Sequence, residues 1–318
     1  MIEFVPENSK INNNSFFGLF KLQIQSMDYD RLEDLPAKEI VFVCDYNGSE
    51  LIVEKSRKMY REKDTVTTVP FKDIHKVKAK NVIIISNRGA FEPPVFPEDT
   101  RVHVICVGPC NNYVAFEKIA SKYNGIYNYV ATRNELSCAV GSMIGAVFST
   151  VYQDATLTFE SSTLLFSQND SICQSITIGD LYADEKKDIL VKCHRVKDNE
   201  IHVIRYTFRA KNVLIQSEIE MKRKRYIHEG VGRPNMDVIT RWKEICVAKE
   251  IRTYNTEVTS DCFNFNGDIE MLRNNRDPAL FRRVSQEYLL QRDNRSDDYV
   301  SKYYTPFRMW FSRELSKC

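Results

Sequence analysis

The stretch IVFVCDYNGSEL, residues 40–51, decides the predicted fold because it joins an apolar run to a polar loop. Its first half is almost continuously apolar, which is typical of a strand buried on both faces of a parallel sheet. The strand ends at Cys44, and Asp45, Asn47 and Ser49 follow at alternate positions. We therefore expect a buried strand whose carboxyl end leads into a loop rich in side-chain oxygens.

Outward from this strand, apolar runs alternate with segments of helical periodicity as far as Tyr152. Strands and helices in alternation indicate a parallel sheet covered by helices, and therefore an α/β domain. The predicted strands span 39–44, 65–69, 81–85, 101–107 and 126–130, and the predicted helices span 51–62, 115–123 and 135–151.

The pattern changes after Tyr152, where short runs with polar turns follow one another without a long helical period. Such a pattern favours an antiparallel β-sandwich. An upstream run over 16–25 alternates with period two, and we expect it to join this sandwich after a loose polar arm over 1–14. The predicted strands of the region itself are 155–160, 163–166, 175–178, 188–193, 201–209 and 213–218.

From Pro234 the apolar residues recur at helical spacing. Met236, Ile239, Trp242 and Cys246 share one predicted helical face. Two further apolar stripes belong to the same predicted helical tail. The predicted organisation is an arm and strand over 1–35, an α/β domain over 36–153, a β-sandwich over 154–232 and a small helical subdomain over 233–318.

The order of these motifs resembles a von Willebrand factor A (vWA) domain. The resemblance is carried by the strand over 101–107 that ends at Gly108, by the helix containing Phe116-Glu117-Lys118-Ile119-Ala120, and by the strand after Asn124-Gly125. Residues 178–191 are similar to the β-rich segment of a subgroup that includes RING-type vWA ubiquitin ligases. The resemblance covers about residues 16–260. It implies a trimmed Rossmann-like vWA domain, an antiparallel β-sandwich and a helical C-terminal subdomain, here without RING cysteines.

The resemblance also implies a metal-binding loop, the MIDAS, which holds a divalent cation through hard oxygen ligands of the kind that Mg²⁺ prefers. In the family these ligands come from a D-x-S-x-S loop, a threonine on a later loop and an aspartate after a further strand. Asp45, Asn47 and Ser49 occupy the first loop of this pattern. Binding of Mg²⁺ through these three residues is therefore one expectation.

Several departures from the family pattern favour a degenerate MIDAS instead. Asn47 stands where the family has a hydroxyl residue, Asn87 stands where it has the later aspartate, and Arg88 adds a positive charge beside the site. The dozen residues between Val69 and Val82 are too few for the strand, helix and threonine loop expected there. Asp45 would then be the single carboxylate ligand, and one carboxylate binds Mg²⁺ weakly.

A protein partner at the carboxyl edge of the sheet is the leading functional hypothesis. Open α/β sheets bind their ligands at this edge. The loops concerned span 45–50, 86–97 and 108–114, and the second of them is rich in proline and aromatic residues. The predicted contact residues are Asp45, Asn47, Ser49, Asn87, Arg88, Phe91, Phe96 and Asn111.

A basic run, Lys222-Arg223-Lys224-Arg225, offers an alternative from another class. It could bind nucleic acid, act as a nuclear localisation signal or contact an acidic partner. The favoured interpretation of the run is a solvated strand end offset by Glu218 and Glu220. The formal net charge of +2 argues against nucleic acid as the main partner.

An enzyme is the least expected class because no nucleophile, base and orienting group can be assembled from the sequence. Cys193 and His194 are adjacent in a predicted strand, so their side chains point to opposite faces. The nine cysteines include no CxxC pair, which indicates reduced thiols and a cytoplasmic protein, with the nucleus as the alternative. Neither a signal peptide nor a membrane span is expected, because no apolar run is long enough.

Overall fold

The computed structural model describes residues 2–6, 10–11, 15–27, 33–88, 94–108, 113–130, 132–160, 165–166, 172–194, 201–229, 233–239 and 241. Contacts between Cα atoms divide these residues into two compact units. One unit holds the described residues up to Ser26 and those from Val151 onward, and the other holds Met27–Thr150.

Strands dominate the first unit, and strands and helices alternate in the second. The helices are α1 (Ser49–Ser56), α2 (Tyr113–Lys122) and α3 (Leu136–Ser149), with 3-10 turns over Arg57–Met59, Phe71–Lys76 and Arg133–Glu135. In chain order the strands are β1 (Ile2–Pro6), β2 (Lys10–Ile11), β3 (Ser15–Gln23), β4 (Glu39–Cys44), β5 (Thr65–Pro70), β6 (Asn81–Ser86), β7 (Arg101–Val107), β8 (Tyr127–Val130), β9 (Thr150–Phe159), β10 (Leu165–Phe166), β11 (Ile172–Cys173), β12 (Ser175–Tyr182), β13 (Lys186–His194), β14 (Ile201–Asn212) and β15 (Ser217–Glu229).

The unit Met27–Thr150 is built on a five-stranded parallel sheet in the order β5-β4-β6-β7-β8. Every residue of β7 is buried, as are the last five residues of β4 and of β6. Helices α2 and α3 contact β7, and α1 contacts α3. Because both faces of the central strands are covered, their sequences are almost continuously apolar. The predicted parallel α/β sheet is confirmed.

A close backbone approach joins α2 to β7 and requires a glycine. The helix ends at Lys122, Asn124 follows with a left-handed φ of 50°, and the Gly125 N–H donates to the Ala120 carbonyl at 2.8 Å. A Cβ built on Gly125 would overlap the backbone carbonyl of Val102. The Asn124-Gly125 pair therefore ends the helix and lets the chain pass close against β7.

The other unit contains two five-stranded sheets, in the orders β1-β3-β13-β10-β11 and β12-β9-β14-β15-β2. Strand β3 pairs antiparallel with β1 and β13, and β14 pairs antiparallel with β9 and β15. The ring of Phe20 in the first sheet lies 5.2 Å from that of Phe159 and 4.9 Å from that of Tyr206, both in the second. The two sheets therefore pack face to face, and the predicted β-sandwich is confirmed.

The N-terminal prediction was wrong where the structure describes it. Ile2–Pro6 forms strand β1 and pairs with β3, instead of belonging to a loose arm over 1–14. Phe4 explains this pairing, because its ring is buried and lies 4.7 Å from the ring of Phe20. It packs over Gly18 so closely that a Cβ there would overlap the ring. The Phe4 ring thus anchors β1 to β3.

The predicted strand over 213–218 was also wrong. The Asn212 side-chain oxygen accepts hydrogen bonds from the backbone N–H groups of Leu214 (3.0 Å) and Ile215 (3.2 Å), and Gln216 has a left-handed φ of 49°. These contacts make 213–216 the turn of a hairpin between β14 and β15. The basic run is consequently part of a strand, β15, in agreement with the interpretation as part of a solvated strand, but the strand is longer than the sequence predicted.

The predicted helical tail is described only at its beginning. Ile239 N–H donates to the Asn235 carbonyl at 3.3 Å, in agreement with a helix that starts after Pro234. The predicted face was wrong, because Met236 is exposed while Val238 is buried against Leu19 and Leu190. The remainder of the tail, 242–318, lies outside the described residues. None of the helices that the structure describes is long and apolar enough to cross a membrane.

Candidate functional site

The candidate site lies at the carboxyl edge of the parallel sheet, where the loops after β4, β6 and β8 meet. Asp45 follows β4 directly, and Arg88 follows two residues after β6. Backbone contacts keep the first two loops together, since the Asp45 N–H donates to the Ile85 carbonyl at 3.0 Å. The parallel register therefore brings together side chains that are far apart in sequence.

Asp45 and Arg88 form an ion pair at this edge. The Arg88 Nε donates to the Asp45 Oδ2 at 2.5 Å, and the Ser86 Oγ donates to the same oxygen at 3.0 Å. The Ser86 Oγ in turn accepts the backbone N–H of Arg88 at 3.1 Å. Asp45 is only 15% exposed, so its carboxylate is held in a defined orientation by two donors. The sequence-predicted residues Asp45 and Arg88 thus contact each other directly.

The Arg88 guanidinium is held on a second side by an aromatic ring. Its Cζ lies 4.8 Å from the centroid of Phe71, which belongs to the 3-10 turn Phe71–Lys76. The hydrogen bond that Arg88 donates to Asp45 raises the pKa of Arg88, so the side chain stays positively charged. Its side chain is 48% exposed, and a fixed cation therefore reaches the protein surface beside Asp45.

Ser49 is placed differently from the prediction of an exposed ligand. It is fully buried at the start of α1, where its hydroxyl donates to the Tyr46 carbonyl at 2.7 Å. Its backbone N–H donates to the same carbonyl at 3.0 Å, so the residue closes the turn before the helix. The prediction that Ser49 is a surface contact residue was wrong, because its side chain is turned inward to satisfy the loop.

Arg133 is a residue of the site that motif analysis missed. A Cβ built on Gly48, whose φ is +85°, would overlap the Arg133 guanidinium. Arg133 is exposed and stands in the short turn after β8. Its position just beyond the end of a parallel strand was the available signal, because every such position lies on the same edge as Asp45.

The donor set at this edge does not fit a MIDAS-type Mg²⁺ site. Mg²⁺ prefers octahedral oxygen coordination at short distances. Asp45 already accepts from Arg88 and Ser86, and the Ser49 hydroxyl is directed to Tyr46. Within the described ranges, no group of three or more His, Cys, Asp or Glu side chains could hold a metal ion.

The remaining predicted contact residues fall into three groups. Asn47 and Asn87 are exposed, as a partner surface requires. Phe96 is not, because it is only 4% exposed, its ring packs 5.4 Å from that of Tyr123, and its N–H donates to the Tyr123 hydroxyl at 2.9 Å. Its prediction as a contact residue was wrong, because the ring is buried against the residue that follows α2. Phe91 and Asn111 lie outside the described residues.

The basic run is divided between the two faces of β15. Lys222 and Lys224 align with Thr207 and Arg205 of β14, whereas Arg223 aligns with Tyr206 on the other face. Glu220 forms ion pairs with Lys222 at 2.9 Å and with Arg209 at 2.8 Å. Residues 222–225 therefore do not form a single patch on one face, and nearby carboxylates offset part of the charge.

The buried thiols are poor nucleophiles. Burial raises the pKa of Cys44 and, more strongly, that of Cys193, which is fully buried in β13. Neither residue forms a disulfide. Because the thiolate is the reactive form, both side chains are unreactive near neutral pH.

Comparison with known proteins identifies the fold. No family model matches the chain, and no curated protein is similar to it in sequence. The chain is similar to the crystal structure of VWA2, an ArnB paralog from Sulfolobus acidocaldarius, with 10% identity over 100% of this chain and 97% of that chain, and a TM-score of 0.56. It is also similar to a von Willebrand factor type A protein from Catenulispora acidiphila, with 9% identity over 99% and 95% of the two chains and a TM-score of 0.48. The likeness to VWA2 shows that the chain contains a vWA-like domain, and the resemblance predicted from sequence is confirmed for the fold.

Proposed function

We propose that the chain is a non-enzymatic interaction protein, an adaptor or scaffold, whose vWA-like domain binds a protein partner at the carboxyl edge of its sheet. The observation that carries the proposal is the ion pair between Arg88 and Asp45. The pair puts a side-chain cation beside Asp45, the carboxylate that the first loop would offer to a metal ion. The edge then presents a preformed polar surface rather than a metal centre.

The composition of this surface supports a protein as the partner. The exposed or half-exposed side chains at the edge include Tyr46, Asn47, Asn87, Arg88 and Arg133. Arginine is enriched at protein interfaces, and an arginine held in place loses little side-chain entropy on binding. Nucleic acid has less support, because the basic run of β15 is divided between two faces.

A non-enzymatic role and a cytoplasmic or nuclear location are supported by the thiols. Cys44 and Cys193 are buried and form no disulfide, and burial raises the pKa of both. A reducing compartment preserves such thiols. The thiols of Cys44 and Cys193 therefore belong to the core and have no catalytic role.

The change Asn87→Arg should reduce partner binding by about tenfold, because a large charged side chain at the centre of the edge blocks close contact. Quantitative mass spectrometry after affinity capture of the tagged full chain from its native cell measures this. Glu39→Arg is the matched control, since Glu39 is exposed at the opposite end of neighbouring β4. If both variants retain every partner that the unaltered chain captures, the carboxyl edge is not the binding surface.

Calorimetric titration of the full chain with Mg²⁺ and with Mn²⁺ should give no binding heat at millimolar metal. The reason is that Arg88 already neutralises Asp45, and one carboxylate binds Mg²⁺ weakly. Asp45→Asn serves as the control for metal bound elsewhere. Binding heat that disappears in this variant would establish metal-dependent ligand binding through the MIDAS loop and overturn the degenerate-site proposal.

A further inference from the structure

Strand β5 forms an open edge of the parallel sheet. Among the described residues it pairs with β4 alone, and its residues Thr65, Thr67 and Thr68 are exposed. Exposed edge strands in soluble proteins are commonly protected by charged residues, by proline or by a bulge. Strand β5 contains no charged residue, and its one proline, Pro70, is the last residue of the strand. The stretch Thr65–Val69 therefore lacks these protections, and another strand can pair beside it.

The backbone of β5 has hydrogen-bonding groups directed outward. The Thr65 N–H donates to the Lys38 carbonyl at 2.8 Å. Because Lys38 directly precedes β4, the backbone groups of Thr65 point toward β4. Backbone groups alternate in direction along a strand, so Thr67 and Val69 also face β4. Val66 and Thr68 then direct their N–H and C=O groups toward the open edge. These are the groups that an added strand would bind.

A groove of about 420 Å³ runs beside this edge on one face of the sheet. Val41 aligns with Thr67 in the register between β4 and β5, so both belong to this face. Val41 and Val77 are buried and form the apolar floor. The residues that line the groove are Val41, Thr67, Val69, Asp73, Lys76, Val77 and Lys78.

The rim of the groove is basic. Two exposed lysines, Lys76 and Lys78, and one carboxylate line the groove, while Lys72 and Lys80 of the same segment are exposed outside its lining. The carboxylate, Asp73, is already paired with Lys76 at 2.7 Å. The net positive charge beside the outward backbone groups favours a negatively charged strand.

We infer that the β5 edge and its groove bind an acidic peptide in extended conformation, by addition of a strand to the sheet. Backbone hydrogen bonds to Val66 and Thr68 supply the pairing. The lysines of the rim select acidic side chains, and the apolar floor accepts a side chain between them. This surface lies along a side of the sheet, whereas the proposed partner surface lies at the ends of its strands, so the two inferences stand independently.

The binding test uses the full chain and the capped peptide Glu-Val-Glu-Val-Glu-Val-Glu, labelled with a fluorophore. A strand shows alternate residues on opposite faces, so this peptide can present either its glutamates or its valines to the groove. Fluorescence anisotropy should show saturable binding. The peptide in which lysine replaces each glutamate should not bind. Equal binding of the two peptides, or binding of neither, would overturn the inference.

Two pairs of variants locate the bound peptide. Thr68→Pro removes an outward N–H while sparing the bonds to β4, and it should weaken binding on the order of tenfold; Thr68→Ala retains the N–H and should bind normally. Lys78→Glu should weaken binding about two- to fivefold, whereas Lys55→Glu on exposed α1 should not. The second pair remains informative if Thr68→Pro fails to fold.

Two results would assign the edge differently. Unchanged binding in both Thr68→Pro and Lys78→Glu would place the peptide elsewhere. A concentration-dependent dimer in analytical ultracentrifugation that Thr68→Pro abolishes would make a second copy of this chain the occupant. Either result overturns the acidic peptide as the ligand of this edge.

Discussion

The change Phe20→Ala should lower the free energy of unfolding of the β-sandwich by about 3–5 kcal/mol, the usual cost of emptying the space of a fully buried aromatic ring. Phe20 is completely buried in β3 and contacts the rings of Phe4, Phe159 and Tyr206 at 4.7, 5.2 and 4.9 Å. The Phe20 ring therefore packs β1 against β3 and joins the two sheets of the sandwich. Loss of the ring leaves a cavity that three aromatic neighbours cannot all fill.

Native-state hydrogen exchange of the β3 and β14 amides is the appropriate measurement, because the chain has two units and need not unfold in one step. Phe17→Ala is the matched control, since Phe17 lies in the same strand and is only partly buried. Phe17→Ala should lower the free energy of unfolding by about 1 kcal/mol, because a partly exposed ring buries less apolar area. Equal effects of the two changes would contradict the role assigned to Phe20.

The change Asp64→Ala should destabilise the vWA-like domain by about 3–5 kcal/mol, because it leaves a buried arginine without its counter-ion. The two side chains of the Arg61–Asp64 pair are 8% and 0% exposed. Asp64 accepts from the Arg61 Nη2 at 2.6 Å and from the Lys38 N–H at 2.8 Å. Arg61 also donates to the carbonyls of Leu35 and Pro36 at 3.1 and 3.0 Å, so the pair fixes the chain before β4.

The same domain provides an exposed ion pair as the control. The Arg57 Nε, in the 3-10 turn after α1, lies 2.6 Å from the Glu54 Oε2 on α1, and the two side chains are 53% and 67% exposed. Glu54→Ala should therefore cost at most about 1 kcal/mol. Hydrogen exchange of the β4 and β6 amides in both variants makes the comparison. If Asp64→Ala lowers the free energy of unfolding no more than Glu54→Ala does, the buried pair contributes no more than a surface pair.

The Asp64 pair also predicts how stability depends on pH. Burial acts to raise the pKa of Asp64, but hydrogen bonds from Arg61 and Lys38 outweigh it and hold the pKa below the ordinary value for aspartate. The pKa of Asp64 is thus lower in the folded chain than in the unfolded chain. The pair's contribution is complete above the ordinary aspartate pKa and is lost as the pH falls through the folded value. Asp64→Ala should accordingly flatten the acid limb of the stability profile.

The parallel sheet could be predicted from sequence because its strands carry their own evidence. Strands β4, β6 and β7 are buried on both faces, which requires continuous apolar runs. The length of strand β15 escaped prediction because its exposed residues 222–226 include four consecutive basic residues, so no alternation marks the strand. Its hairpin depends on the Asn212 side chain, a local turn whose effect on register is difficult to infer from composition.

The position of the candidate site could be predicted from where the strands end in the sequence. The geometry of its side chains could not. Spacing placed Asp45, Ser49 and Arg88 at one edge, and the structure agrees with that placement. Spacing could not show that the Ser49 hydroxyl turns inward or that Phe96 packs on Tyr123. Side-chain direction depends on which hydrogen bonds the loop must satisfy, and that is decided by tertiary contacts.

The Arg88 guanidinium, held between Asp45 and the Phe71 ring, has a consequence for regulation. A bound metal ion exchanges with solution, so a surface that relies on one responds to chelators and to the divalent-ion supply of its compartment. A cation that is covalently part of the chain cannot dissociate. The proposed recognition at this edge would therefore be permanently available, and control over it would have to come from the abundance, modification or location of the two proteins.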